Sequence, residues 1–573
     1  MTEQSPEKIG LALSGGGLRA SFFHIGLLAQ MAEQGLLKSV AVISTVSGGS
    51  IVGALYYLHL KKLLETKPDK EITDQDYIDI IKIIEVDFLK TTEKNIRMSV
   101  LADIRKNIKM KEADYSRSDR IAELYNEYLY QSVVDNLGNP VEMRKLKIQP
   151  LGGPDHFHPD ENNDDRVAKV PILVLNSTTL NGGRNWQFTA KTMGEPATRK
   201  SNIRIDKKPI RLRRATGYQN MVVAQQDFPL GHAVAASACV PALFTPLAVS
   251  NLYFDKNEDE KIVPQLVDGG VFDNQGIESL LKNNCTRFIV SDASGQMGME
   301  NEVDTDPVSV LLRVSSVLQD RVRTESLLHL IDSKGEDNIV FIDLRKGLGE
   351  RIISWNDQDG VPAQEDEIIP PTSDKFGVDP VVQEKLSLMR TDLDAFTEVE
   401  AYSLMLDAYQ MSKDDLAKFG DAESQPEDGW RFLQIAEFMK TPLSNPDYLK
   451  QLGVSQHVFG KALQVFPWLW IPIVLVVLAV LGYSWEPFIK PVLNSSYTVI
   501  GIITAIVLWL MTILAPKFER MMSFLSYLRP HALLVKRLLR AGLLVVGTVF
   551  VIFYLKCINP MYLAQGRMAK LKK

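Results

Sequence analysis

Residues 11–60 read LALSGGGLRASFFHIGLLAQMAEQGLLKSVAVISTVSGGSIVGALYYLHL, and this stretch decides the architecture. The apolar run 9–13 leads into three consecutive glycines, Gly15, Gly16 and Gly17, and then into a helical pattern. A second apolar run, 40–46, leads into Ser47-Gly48-Gly49-Ser50 and another helical pattern. Strand, glycine loop, helix, strand, sharp turn and helix make a βαβα unit, and such units build a parallel sheet.

Both turns carry chemistry. Three successive glycines expose backbone N–H groups at the start of a helix, where the partial positive charge favours an anion. Ser47 falls where a strand turns directly into a helix, a place that holds a hydroxyl outward on a strained elbow with the Gly48 N–H behind it. A nucleophile and an oxyanion hole are the two parts acyl transfer needs most. The spacing Gly15-x-Gly17-x-x-Ala20 also fits a dinucleotide-binding loop. That chemistry wants a carboxylate at the end of the second strand, about 20 residues on. The second strand ends Ser44-Thr45-Val46-Ser47, with no carboxylate, which weighs against a dinucleotide.

Three further segments extend the pattern. Residues 169–189 (KVPILVLNSTTLNGGRNWQFT) give a strand, a glycine turn and an aromatic strand. Residues 233–246 (AVAASACVPALFTP) contain A-S-A-x-x-P-x-x-F-like spacing, and residues 266–276 (LVDGGVFDNQG) carry D-G-G followed by Asn274. Four such segments in this order resemble the patatin-like phospholipases over about half of the chain. The resemblance implies an α/β fold, a mostly parallel sheet sandwiched by helices. It implies Ser47 as nucleophile and Asp268 as base, a dyad without histidine. It also implies Gly15, Gly16 and Gly17, with the Gly48 N–H, as the oxyanion hole, and Arg19 as the brace of the glycine loop. Two positions depart from the family pattern. Thr45 stands where its G-x-S-x-G elbow has glycine, and a β-branched residue crowds the strand–helix approach. Ala20 ends the glycine loop in place of glycine.

At 573 residues the chain is too long for one core. With 45% hydrophobic and 23% charged residues its composition is that of a globular protein. The net charge of -6 hides an asymmetry: residues 461–573 hold 13 Lys and Arg against 2 Asp and Glu, a surplus of 11 that leaves the remainder at -17. An acidic head and a basic, apolar tail argue for a membrane partner and against nucleic acid. Three scattered cysteines, Cys239, Cys285 and Cys557, imply no disulfide framework. Residues 1–10 lack an apolar signal core, so the head is expected in the cytosol.

Domain expectations follow. Residues 8–300 form the catalytic domain, interrupted at 61–145 by a helical insertion whose apolar residues recur at three and four positions (Ile78, Ile81, Ile84; Ile121, Leu124, Tyr128). Residues 301–430 extend the head, with a helix over 308–331, a strand over 338–344, a surface excursion at 347–380 and a helix over 391–419 capped by Thr391. Residues 431–464 are an amphipathic linker. Residues 465–573 are a membrane domain with spans at 465–483, 497–514 and 541–558, flanked by Trp468, Trp470 and Tyr483. The six basic residues of 517–540 belong on the cytosolic side by the positive-inside rule, with the head, as in a bacterial inner membrane. His156 and His158 near Asp160, Asp164 and Asp165 fit a solvated loop better than a metal site, so no metal is assigned.

The expected activity is a membrane-anchored serine acyl hydrolase that cleaves carboxylic esters of phospholipids or other acyl lipids, with no cofactor and with the bilayer as partner. Two rivals stand beside it. One is a Ser-His-Asp esterase using His24, His232, His329, His457 or His531. The other is a catalytically silent scaffold of the same fold, motivated by Thr45.

Overall fold

The computed structural model describes residues 7–110, 115–134, 138–197, 211–241, 243–257, 259–295, 297–420, 429–458, 461–469, 471, 544–545 and 547–572. The first twelve strands, in chain order, are β1 (Ile9–Leu13), β2 (Val40–Val46), β3 (Ile172–Thr179), β4 (Arg184–Phe188), β5 (Thr192–Gly194), β6 (Thr216–Gly217), β7 (Leu247–Ala248), β8 (Tyr253–Asp255), β9 (Glu260–Ile262), β10 (Gln265–Asp268), β11 (Arg287–Asp292) and β12 (Ile339–Asp343). All but the β8–β9 hairpin join one ten-stranded sheet ordered β12-β11-β1-β2-β3-β4-β5-β6, with β10 pairing both β3 and β7. The five strands β12, β11, β1, β2 and β3 run parallel. Every residue of β1 and β2 is buried, as expected of strands covered by helices on both faces. The sheet is therefore α/β and mixed, with a parallel core and an antiparallel edge.

Helix α1 (Gly17–Glu33) crosses β1 to β2, and α2 (Gly48–Thr66) follows Ser47. The helical insertion opens with α3 (Asp74–Thr92), started by a Thr73–Asp76 capping box. Its Ile81, Ile84 and Phe88 are fully buried, and Phe88 meets Phe22 of α1 edge-on at 5.2 Å. This part of the insertion belongs to the core. The helix Glu398–Leu416 covers the same face of α1, so closely that a side chain at Gly26 would strike the Met405 carbonyl.

Three C-terminal expectations meet a different arrangement. The helix expected over 391–419 starts at Glu398, because Thr397 and Glu400 form the capping box and 391–396 is spent on contacts described below. Residues 431–464, expected as a linker, belong to the head: Phe432, Ile435, Tyr448 and Leu452 are fully buried. The last residues of the presumed membrane domain also pack on the head. Asn559–Gln565 and Met568–Leu571 bury Tyr562, Leu563, Met568 and Leu571, and the Gly566 carbonyl accepts the Val399 N–H at 3.0 Å. Among the described residues one helix, Gly547–Gln565, is long and apolar enough to cross a membrane. The expected spans 465–483 and 497–514 and the basic segment 517–540 lie outside the described residues, apart from 465–469 and 471.

Candidate active site

Register places Ser47 and Asp268, the two residues expected to react. β2 pairs with β3 only as far as Val46 opposite Asn176, and Ser47 follows at once. On the same side of β3, β10 arrives antiparallel and places Asp268 opposite Ser177. The two strands meet end to end along one edge of β3, which brings residues 221 positions apart to neighbouring sites. There the Ser47 hydroxyl faces the Asp268 carboxylate, near enough to favour its ionised form.

Ser47 has φ 50° and ψ −116°, a strained backbone conformation for a residue with a side chain. A set of hydroxyls holds it there. The Ser47 N–H donates to Ser237 Oγ at 3.0 Å, and Ser237 Oγ–H donates to the Asn176 carbonyl at 2.5 Å. Ser50 Oγ lies 2.8 Å from Ser237 Oγ and 2.9 Å from Thr45 Oγ1. Thr45 is thus part of the support. Its methyl group fits because Gly53 faces it, where a Cβ would come within 2.6 Å of Thr45 Cγ2. The crowding expected at Thr45 is relieved one turn into α2.

Asp268 is almost fully buried. Burial pushes its carboxyl up to about 6, although the Gly270 N–H at 2.7 Å and the Ser47 hydroxyl favour the ionised form. Its own N–H donates to the Cys239 carbonyl at 2.9 Å. A buried carboxylate with a raised proton affinity is suited to removing a proton from a hydroxyl.

The glycine loop lies over the start of α2. Gly16 (φ 139°) and Gly17 (φ 60°) take conformations that L side chains rarely adopt, and a Cβ on Gly17 would lie 2.8 Å from the Asp392 N. Gly48 approaches the Gly17 carbonyl so closely that no side chain fits between them. The amides divide into two groups. The Gly15 N–H donates to the Asn274 carbonyl at 3.0 Å, so Gly15, expected as an oxyanion donor, holds the loop to the D-G-G turn. The amides of Gly16, Gly17 and Gly48 have no hydrogen-bond partner among the described residues. They sit at the positive ends of α1 and α2.

Arg19 is buried behind the loop. Its Nε and Nη2 donate to the Ala293 carbonyl at 3.2 and 2.9 Å, and Nη1 donates to the Met389 carbonyl at 2.6 Å. Burial lowers its pKa to about 10 while Asp292 supports the charge. The histidines lie elsewhere. His24 Nε2–H donates to the Ser14 carbonyl at 3.0 Å and Nδ1 takes the Ser291 hydroxyl at 2.8 Å, and burial holds the ring down to about 4. His24 therefore ties β1 to β11 as a neutral ring. His232 Nε2 faces Asp119 Oδ1 at 3.7 Å, and His329 and His457 are exposed. His531 lies outside the described residues. Among the described residues no group of three or more His, Cys, Asp or Glu is placed to hold a metal ion.

Sequence reasoning missed three contributors. Ser237 lay in the quoted A-S-A segment, where its position was the available signal. The Asn274 carbonyl and the 389–392 backbone act through main-chain atoms, which leave no signature in side-chain identity. A cavity of about 1070 Å³ lies between the insertion (Leu101, Tyr115), the loop after Cys239 (Phe244, Thr245) and the C-terminal helix (Thr548, Val551). Neither Ser47 nor Asp268 lines it.

Residues 11–281 match the family described as patatin-like phospholipase. No curated protein matches the chain. Solved structures that match include human GIVD cytosolic phospholipase A2 in complex with a methyl gamma-linolenyl fluorophosphonate inhibitor, at 13% identity and a TM-score of 0.35 over 72% of this chain. The chain spans 58% of that protein's length. Another is VipD from Legionella pneumophila, at 13% identity and a TM-score of 0.24, covering 59% of this chain and 62% of that one.

Proposed function

On the premise that residues 11–281 are a patatin-like phospholipase domain, a lipid acyl hydrolase, we propose that this protein is a membrane-held serine hydrolase of phospholipid or other acyl-lipid esters. The observation that carries the reading is the juxtaposition of Ser47, on a strained elbow, with the buried Asp268 at the meeting of β2 and β10, beside three amides that have no partner among the described residues. Asp268 takes the Ser47 proton as Oγ attacks the ester carbonyl. The oxyanion is received by the N–H groups of Gly16, Gly17 and Gly48 at two helix N-termini. Collapse expels the alcohol, protonated by Asp268, and leaves an acyl group on Ser47. Water, deprotonated by Asp268, then releases the fatty acid. Burial of the base narrows the gap between its proton affinity and that of the serine hydroxyl, which lets a carboxylate act without a histidine relay.

The membrane part of the proposal rests on the apolar, basic tail. The segment that enters it, Lys461–Val465, and the segment that leaves it, Asn559–Gln565, both pack on the head. A chain that leaves and rejoins one head crosses a bilayer an even number of times. We therefore favour two spans, 465–483 and 497–514, with the head and 517–540 in the cytosol. The third run then lies along the insertion, where Asn107 Nδ2 donates to Thr548 Oγ1 at 3.1 Å, and it turns Val545, Val549, Phe550 and Phe553 outward.

The test is labelling of the full-length protein with a fluorophosphonate probe, alongside fatty-acid release from phosphatidylglycerol–phosphatidylethanolamine vesicles. Labelling at Ser47 together with release supports the reading. A protein that is folded yet neither labels nor releases fatty acid is a scaffold.

A further inference from the structure

The tail leaves and rejoins the head at one buried charge cluster, and that cluster stands directly behind the glycine loop. Arg390 is fully buried. Its Nε donates to Asp394 Oδ1 at 2.8 Å, Nη1 to Glu400 and to the Ser455 carbonyl at 2.9 Å, and Nη2 to the Ala395 carbonyl at 2.9 Å. Lys461, the first residue of the helix entering the tail, pairs with Asp394 and donates to the Ala395 carbonyl at 3.3 Å. Tyr562, in the helix leaving the tail, donates its hydroxyl to Glu400 at 3.0 Å, and the Lys461 ammonium lies 4.7 Å from its ring centre. Arg97 of the insertion pairs with Asp392. Three carboxylates thus face three cations, drawn from four separate segments of the chain, and Tyr562 adds a fifth.

The other side of the same turn is the glycine loop's support. The Met389 carbonyl takes Arg19 Nη1, the Asp392 carbonyl takes the Leu18 N–H at 2.9 Å, and the Asp392 backbone fills the space beside Gly17. Residues 389–395 are therefore a short bridge, clamped by ions on one side and clamping the loop on the other. Stability alone is a poor reason for such a cluster. Removing ions from water is costly, and apolar side chains of similar volume often do as well or better. What fixed charges supply is one defined position for the turn.

We propose that Lys461 and Tyr562, at the two ends of the tail, are positioning residues for the glycine loop, acting through Arg390, Asp394 and Glu400 on the 389–395 turn. The tail then does more than hold the head at the bilayer: its two ends set the geometry of the amides that receive the oxyanion. This inference rests on the hydrolase reading above. It differs in expecting that loss of a tail contact slows even a substrate that needs no membrane.

The experiment uses full-length protein in detergent, with a short water-soluble ester and with amide hydrogen exchange read over residues 14–20. Lys461→Met should lower kcat about tenfold with KM unchanged, since a shift of the order of an ångström in a catalytic group costs that much or more. Lys461→Arg should restore most of the rate. Tyr562→Phe, which removes one hydroxyl and keeps the ring, should lower kcat several-fold, and it decides the matter if Lys461→Met does not fold. Both variants should speed exchange in the glycine loop. Wild-type kcat and loop exchange in Tyr562→Phe, with only the melting temperature lowered, would overturn the proposal. If the wild-type protein cleaves no ester but the variants still loosen residues 14–20, the coupling stands and the hydrolase reading fails.

Discussion

Residues 14–19 and residues 389–395 are two sides of one contact, and they contribute to it in different ways. The glycine loop works through what its side chains lack: Gly16 and Gly17 adopt backbone angles that a Cβ would strain, and their amides have no partner among the described residues. The opposing turn works through what its side chains hold, since Arg390 and Asp394 are spent on the ion cluster while the Met389 and Asp392 carbonyls grip the loop. A backbone device leaves a local mark in sequence. A support made of carbonyls leaves none, and any residue types that fold the same turn would serve. The glycine half of the site is local in the chain, and its rigidity is not.

The largest effect separates chemistry from support. Ser47→Ala and Asp268→Asn should each lower ester turnover by at least about 10³-fold with melting temperature nearly unchanged, because each removes a reacting group. His24→Ala should instead lower stability by about 1–3 kcal/mol, leaving the Ser291 hydroxyl without its His24 partner and the Ser14 carbonyl with the Gly49 N–H alone, and keep the chemistry. A histidine variant that stays folded and loses turnover as completely would replace the dyad by a triad.

Next comes the contact itself. Gly17→Ala forces a side chain against Asp392 and strains φ, which moves the amides off the oxyanion. The expected loss is about 10²–10³ in kcat, the cost of a misplaced oxyanion donor. A near-normal rate would mean that the oxyanion is held elsewhere.

A pH profile sharpens the role of the buried base. As the proposed base, Asp268 must be ionised to accept the serine proton, and burial raises its pKa to about 6. The rate of ester cleavage should therefore be flat above that pH and fall about tenfold per unit below it. A profile that stays level down to the ordinary carboxylate range near pH 4 would contradict the raised value.

The smallest effect concerns the residue that departs from the family's elbow. Thr45→Ala removes the hydroxyl beside Ser50 and the methyl facing Gly53. It should cost about 1 kcal/mol of stability and change kcat less than about threefold, because Ser237 still holds the Ser47 N–H. A large gain in rate on Thr45→Gly would instead show that Thr45 holds the elbow open.

The parallel core, the elbow and the glycine loop were legible in the sequence, for a physical reason. Buried parallel strands need unbroken apolar runs, such as 9–13 and 40–46, and sharp turns between strand and helix need glycine at close approaches. Tertiary structure decided the rest. The pairing of Ser47 with Asp268 depends on β2 and β10 ending against the same edge of β3, a matter of register across 221 positions. The assignment of amides was also tertiary: Gly15 looks like its neighbours in sequence, and only the Asn274 carbonyl takes it out of the donor set. Residues 431–464 read as a linker and the basic end after 558 as membrane domain because their short helices carry no sign of which surface they cover. Only the fold, by drawing Lys461 and Tyr562 to the acids behind the glycine loop, makes them part of the head.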